Sequence, residues 1–524
     1  MRRSAQFLFI AVFLLFMLGC GSQSQVTTTP VINPANPATV PVSLTVTDTP
    51  PAGVTVLFFQ LSITGATLSP GNVSLLPGSN PIPVNVSQLQ TNSAFLGSQD
   101  VAAGTYTGLT LTFANPELTI FNGSGATIGS GSTACANNTV CQLTPTATSM
   151  NVSLTSAPFP ITVTATSPPA FQLDINLNTV IQSDLSVNLG VTNGVTIAQL
   201  PPPPTGTNVM PIGNLTGAIQ SVNSTTSPDS FVLQTGDGRT FTIDVGSSTT
   251  YSGFPSSACS SETFACLAAQ QIVNLQMNLQ TAGTLLASQV TYVQPGGQMM
   301  VQGNIIRLST SGGNTMMDLI LQQGPPPPPG ANAIPFGQRA TVTVPGTGVN
   351  YAVDAGSYTI PSGLTFTGAS SLAVGQQVSV AVAAGSVTAP SSPPSSTAIL
   401  APAPNTFTAT GITLEPSQIT GTVTAINASA LSFTLSTMQN FFLPPAPNAT
   451  APPTPTSTSI TVQTTAGTTF TGFTTESIAG LATTDVVSVG GWVFSTPTGT
   501  TTITQAAQAV LDRPAPTPGV TPLF

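Results

Sequence analysis

The chain has 524 residues, a formal net charge of −9 and only 4 % charged residues; its cations are Arg2, Arg3, Arg239, Arg307, Arg339 and Arg513, with no lysine and no histidine. Ordinary globular proteins carry about 25 % charged residues. So few cations argue against nucleic-acid binding through phosphate contacts and against attraction to anionic membrane surfaces. Without histidine or lysine, most acid–base and nucleophilic schemes lose their usual base.

In chain order, Arg2 and Arg3 precede the apolar run Phe7 to Leu18. That run is shorter than the roughly 20 residues of a membrane-spanning helix. It has the length of a signal-peptide hydrophobic region. Gly19 then precedes Cys20, with Gly21-Ser22 after it. Met17-Leu18-Gly19-Cys20 resembles a bacterial lipobox, although Met17 stands where Leu is commonest and Leu18 where a small residue is. The resemblance implies a signal peptide over 1–19, lipidation of Cys20, export, and attachment to a membrane of the cell envelope through the acyl chains. An ordinary signal peptide with a chance cysteine is the competing expectation. Residues 20–40 are rich in Ser, Gln, Thr, Pro and Asn and are expected to form a flexible tether.

From 41 to 200 the pattern is alternating apolar and neutral polar residues. Val42 to Asp48, Val54 to Thr64, Gly104 to Phe113, Glu117 to Asn122 and Phe171 to Asn178 read as strands. Ser69-Pro70-Gly71, Asn115-Pro116 and Pro168-Pro169 supply turns between them. Many short strands with turns predict an antiparallel β-sandwich. An outer-membrane barrel would alternate in the same way, but it should carry aromatic girdles. The chain has one Trp and five Tyr, too few for them. The stretches "SLTVTDTPPAGVTVLFFQLSITGATLSP", "VNVSQLQTNSAFLG", "VAAGTYTGLTLTF" and "FQLDINLNTVIQSDLSV" resemble the family called domain of unknown function 4382. Thr47-Asp48 with Pro50, and Ala103-Gly104-Thr105-Tyr106, carry the resemblance most specifically. It implies an architecture and a setting behind lipoprotein signals in bacterial envelopes, and no chemistry.

Pro201 to Pro204 predicts a stiff linker over 201–211. Beyond it a unit repeats three times, over 212–296, 299–414 and 416–513. Leu215-Thr216-Gly217-Ala218-Ile219 recurs as Val301-Gln302-Gly303-Asn304-Ile305 and Ile419-Thr420-Gly421-Thr422-Val423. Thr250 to Phe254, Thr365 to Gly368 and Thr469 to Phe473 share a second motif. The repeated glycine suggests a bulge or sharp bend. The units resemble domain of unknown function 5666, which implies a small β-barrel of OB-like character. The second and third copies are interrupted at one equivalent hairpin, where the first has only Gly236-Asp237-Gly238. The tail 514–524 is Pro-rich and expected to be loose. The fold class expected is therefore all-β: one antiparallel sandwich followed by three OB-like barrels.

With Cys20 set aside, four cysteines remain in two close pairs. An exported chain meets oxidising conditions, so Cys135 with Cys141 and Cys259 with Cys266 is the simplest pairing, though four cysteines allow three connectivities. The spacings do not suit zinc, and no cofactor or metal is expected. The aspartates Asp174, Asp184, Asp229, Asp237, Asp244, Asp318 and Asp354 are scattered singly. Each is expected at a turn or strand end. Paired-carboxylate hydrolysis and a calcium site at Asp237 and Asp244 are the sharper and weaker alternatives. Asn72, Asn85 and Asn122 head Asn-x-Ser/Thr triplets, taken as composition. Tyr251, Phe366 and Phe470 could stack on sugars, but core packing is the plainer expectation.

The function expected is a non-catalytic envelope lipoprotein with a binding or structural role, its partner an envelope protein or glycan. The alternatives are a surface adhesin or carbohydrate-binding array, and a carboxylate-dependent hydrolase.

Overall fold

The computed structural model describes residues 39–513, apart from 50–54, 79, 92, 123–125, 138, 165–168, 201–209, 226, 237, 256–258, 260, 281–282, 295–298, 323–335, 357, 384–396, 399–404, 438–457 and 496–502. Cys20, the leader, the loose tail and Asp237 lie outside these residues, as do nearly all of the tether and of the proline linker. Met210 and Pro211, at the linker's end, already pair as strand with Leu279 and Asn278. Among the described residues no helix is long and apolar enough to cross a membrane.

The strands obey the alternation seen in the sequence. In Ala170–Asn176, Phe171, Leu173 and Ile175 are buried, while Gln172, Asp174 and Asn176 between them are partly exposed. This strand lies between Val195–Leu200 and Thr39–Thr49, and Ala94–Ala102 completes a four-stranded sheet. Pairing there is antiparallel except between Thr39–Thr49 and Ala170–Asn176, which run parallel with Ser43 opposite Ala170. The facing sheet is built on the long antiparallel pair Thr55–Ser69 and Gly108–Asn122. Thr139–Leu143, Asn151–Leu154, Ile82–Asn85 and Val73–Ser74 extend it. Both sheets contribute to one core, with Leu44 and Phe171 from the first and Phe59, Leu111 and Ile120 from the second. That shared core makes the pair a sandwich.

Three five-stranded barrels follow, with one topology. In the first, Met210–Asn223, Ser230–Thr235, Thr240–Ser252, Leu285–Gln294 and Ile272–Leu279 close in that spatial order. The third and fifth strands run parallel, as in an OB-type barrel. The second barrel repeats this with Met299–Ser311, Asn314–Gln322, Arg339–Val344, Asn405–Glu415 and Gln377–Val382. The third does so with Ser417–Asn427, Ser432–Thr437, Thr458–Gln463, Ile503–Arg513 and Val486–Ser495. In the second and third barrels the third strand resumes after a gap, as Asn350–Val353 and Thr469–Thr471. The two sequence insertions both fall between the second and third strands.

The repeated glycine is explained by a close approach. A Cβ on Gly217, Gly303 or Gly421 would stand 2.5 Å from the carbonyl oxygen of Gln234, Ile320 or Ser436 on the next strand. No side chain fits there. The expected bulge is also present, two residues further on. The register slips between Ile219 and Ser221, Ile305 and Arg307, and Val423 and Ala425.

Two disulfides staple the loops. Cys135 joins Cys141 with Cα atoms 5.8 Å apart, and Cys259 joins Cys266 at 5.3 Å. The residues from Thr39 onward form one compact unit, with the barrels packed on the sandwich and on one another.

Candidate binding site at the sandwich–barrel junction

One short stretch of the sandwich, Asn85 to Phe95, touches all three barrels. It begins where the strand Ile82–Asn85 ends in a single 3-10 turn, Val86–Gln88; Val86 and Leu89 stay in the sandwich core, while Asn85, Gln88 and Gln90 make bonds to the barrels. Asn85 is 6 % exposed. Its amide donates to Gln322 Oε1 of the second barrel (2.5 Å), and Gln322 Nε2 donates to the Leu57 carbonyl (2.9 Å). Toward the third barrel, the Thr91 amide donates to Gln418 Oε1 (2.8 Å). Gln418 Nε2 donates to the Gln88 carbonyl, and Arg513 to that of Gln90. Toward the first barrel, Arg239 donates to the Phe95 carbonyl (3.1 Å). The Phe95 and Phe241 rings sit 6.4 Å apart.

The repeat motif supplies the barrels' side of this junction. The residue before each repeated glycine is Thr216, Gln302 or Thr420. Thr216 and Gln302 line a shared cavity. Thr420 donates to Gln90 Oε1 (2.9 Å). One strand position thus faces the same stretch of sandwich in all three barrels.

The cavity at this meeting point encloses about 140 Å³. Its walls are mainly neutral amides, hydroxyls and apolar groups, with Gln88, Gln302 and Gln377 among the amides. Two ionisable residues belong to it, Arg239 and Glu415. The Arg239 guanidinium lies 5.1 Å from the centroid of the Phe241 ring, within cation–π range.

Glu415 is 2 % exposed. Ser379 Oγ donates to its Oε1 (2.7 Å), while its Oε2 has no hydrogen-bond partner among the described residues. Burial pushes the Glu415 carboxyl well above the usual carboxylate range, and the nearby Asp354 carboxylate pushes it further. Burial also raises Asp354, to about 6, against a hydrogen bond from the Thr291 hydroxyl of the first barrel. Burial and mutual repulsion both disfavour ionising the two carboxyls together.

Two families match within this framework. Residues 39–191 match the family model described as domain of unknown function (DUF4382). Residues 216–291, within the first barrel, match the model described as domain of unknown function (DUF5666). No curated protein and no solved structure matches the chain. The stretch touching all three barrels lies inside the first matched region.

The other residues singled out in the sequence fall elsewhere. Asp318 is no strand-end carboxylate: it is 2 % exposed and bonded to Arg307 Nε (2.8 Å) and Thr341 Oγ1 (2.6 Å). Asp184 accepts from the Ser186 amide (2.9 Å) in a turn, and Asp174 and Asp244 lie within strands. Phe366 and Phe470 are buried in the cores of the second and third barrels. Tyr251 is half-buried against the first core, and burial with the Asp229 charge pushes its phenol up to about 12. Asn85 is a buried joint and Asn122 a buried donor to the Ala126 and Cys135 carbonyls. Neither offers a free surface amide. Among the described residues no group of three or more Cys, Asp or Glu could hold one metal ion. Glu415 escaped notice in the sequence, although it stands alone between Leu414 and Pro416 where the second repeat meets the third.

Proposed function

We propose that the protein is a non-catalytic, lipid-anchored component of the bacterial cell envelope, whose sandwich and three barrels act together as one binding body. The junction cavity carries this reading. Four modules build one space whose walls mix apolar groups with uncharged polar ones, which suits recognition and offers no nucleophile–base pair. The leader and Cys20 support the anchor, and the scarcity of cations sets nucleic acid aside as a partner.

An array of independent sugar-binding repeats draws less support. The rings such sites would need, Phe366 and Phe470, are consumed by barrel cores, and the repeats turn their shared motif toward the sandwich.

The anchor is tested by metabolic labelling with a fatty-acid analogue in a bacterial host, followed by membrane fractionation. The native chain is expected to be labelled and membrane-bound, and Cys20→Ala to lose both properties. A native chain that stays unlabelled and soluble would sink the proposal.

A further inference from the structure

We infer that the junction cavity is a binding site for one small phenol, a single benzene-sized aromatic ring carrying one hydroxyl group. The inference rests on the binding role proposed above and names its ligand class.

Size sets the first limit. The cavity encloses about 140 Å³, close to the roughly 150 Å³ of an apolar cavity that takes up one benzene ring. It falls well below the roughly 300 Å³ and more of pockets for drug-sized molecules. A fused pair of rings, a sugar or a peptide exceeds it.

The walls set the second. Apolar groups make up the larger part of the lining, among them Val84, Phe95, Leu215, Phe241, Met277 and Leu285. The Phe95 and Phe241 rings lie 6.4 Å apart. Aromatic rings and a thioether both favour an aromatic guest. The polar groups among them are largely paired within the protein. Asn85 donates to Gln322, Gln418 to the Gln88 carbonyl and Asn274 to the Thr216 hydroxyl. Arg239 donates to the Phe95 carbonyl and stands over the Phe241 ring. A guest with many polar groups would leave several of them desolvated and without partners.

One polar atom is left over. Of the lining residues, Glu415 is the one whose buried side chain keeps an oxygen, Oε2, with no hydrogen-bond partner among the described residues. Its Oε1 is taken by the Ser379 hydroxyl. A hydroxyl both donates and accepts, so it pairs with Oε2 whether Glu415 is ionised or protonated. An ammonium only donates and a ketone only accepts. A carboxamide brings two donors and an acceptor to a single unpaired oxygen. One hydroxyl on an otherwise apolar ring therefore matches both the walls and their one unpaired atom.

The test is calorimetric titration of the detergent-solubilised full-length protein with phenol, benzene and a naphthol, each corrected for partition into protein-free micelles. Phenol is expected to bind saturably at one site per chain, with a dissociation constant of about 1 mM or tighter. Benzene, which lacks the hydroxyl, should bind about tenfold more weakly. The naphthol, which adds a second ring, should not bind. Thr216→Trp, which fills the cavity, should abolish phenol binding. Glu415→Leu removes the unpaired oxygen and should bring phenol down to the affinity of benzene, while benzene binds no more weakly than before. That retained benzene site shows the variant to be folded; if it is lost, the three ligands compared on the native protein decide alone. Phenol that fails to saturate by about 10 mM overturns the inference. So does benzene binding as tightly as phenol in the native protein, a naphthol occupying the same site, or a preference for phenol that survives Glu415→Leu. Because labelling at Cys20 is read separately, an anchored protein that ignores phenol defeats the ligand class and leaves the envelope role standing.

Discussion

Asp318 and Glu415 belong to the same barrel and are each 2 % exposed, yet their surroundings differ. Asp318 sits in mid-strand with Arg307 on one carboxylate oxygen and Thr341 on the other. Glu415 ends its strand at the junction with one hydroxyl partner and a second acid nearby. A charge can be buried in a barrel wall when opposite charge and hydrogen bonds meet it on both sides. Where the environment is left incomplete, burial shifts the protonation state instead. The first arrangement is what a wall needs for stability. The second is tolerated where four modules meet around a space.

The largest effect should come from breaking the completed side. Asp318→Asn leaves Arg307 and the buried Arg339 without their carboxylate. About 3 kcal/mol of stability is expected to be lost, read as a lower denaturant midpoint with unchanged slope. A loss below about 0.5 kcal/mol, the usual range for surface substitutions, would remove the contrast with Glu415.

Asn85→Ala should cost less, about 1–3 kcal/mol, because it strands the acceptor Gln322 Oε1 at the joint and takes away the oxygen to which the Ser87 hydroxyl donates. Its more telling consequence is in cooperativity. With that joint weakened, unfolding followed by Trp492 fluorescence in the third barrel and by far-UV circular dichroism should no longer coincide. Coincident transitions in this variant would mean that the modules are held together elsewhere.

How far these features were legible follows from the range of the forces involved. Period-two alternation is a local signal, so the strands, the sandwich and the three units could be read from the sequence. The two close cysteine pairs were also local and are bonded as the simplest pairing had it. The glycine of each repeat was visible, but its cause was not, since the carbonyl it must avoid lies on the next strand. The junction depends on contacts such as Asn85 with Gln322 and Thr91 with Gln418, which are separated by 237 and 327 positions. Nothing near Asn85 distinguishes it from Asn72. The repeat did hold one unused clue. The residue before each glycine is polar in all three copies, which a residue facing its own barrel core would not be.

The smallest effect, and the one that sharpens the comparison most, is on the open side. Glu415 and Asp354 both titrate above their unfolded values, Asp354 at about 6. Between the unfolded carboxylate range, near pH 4, and those raised values, the native state holds protons that the unfolded chain has released. Stability must therefore fall as pH rises through that window. Glu415→Gln keeps an acceptor for Ser379 and removes one of the two raised groups. The native protein is expected to lose stability as pH rises above about 4, and the variant to lose less over the same range. Denaturant unfolding at four pH values measures both curves. Parallel curves would show that Glu415 carries no buried proton and that the junction is as complete as the wall around Asp318.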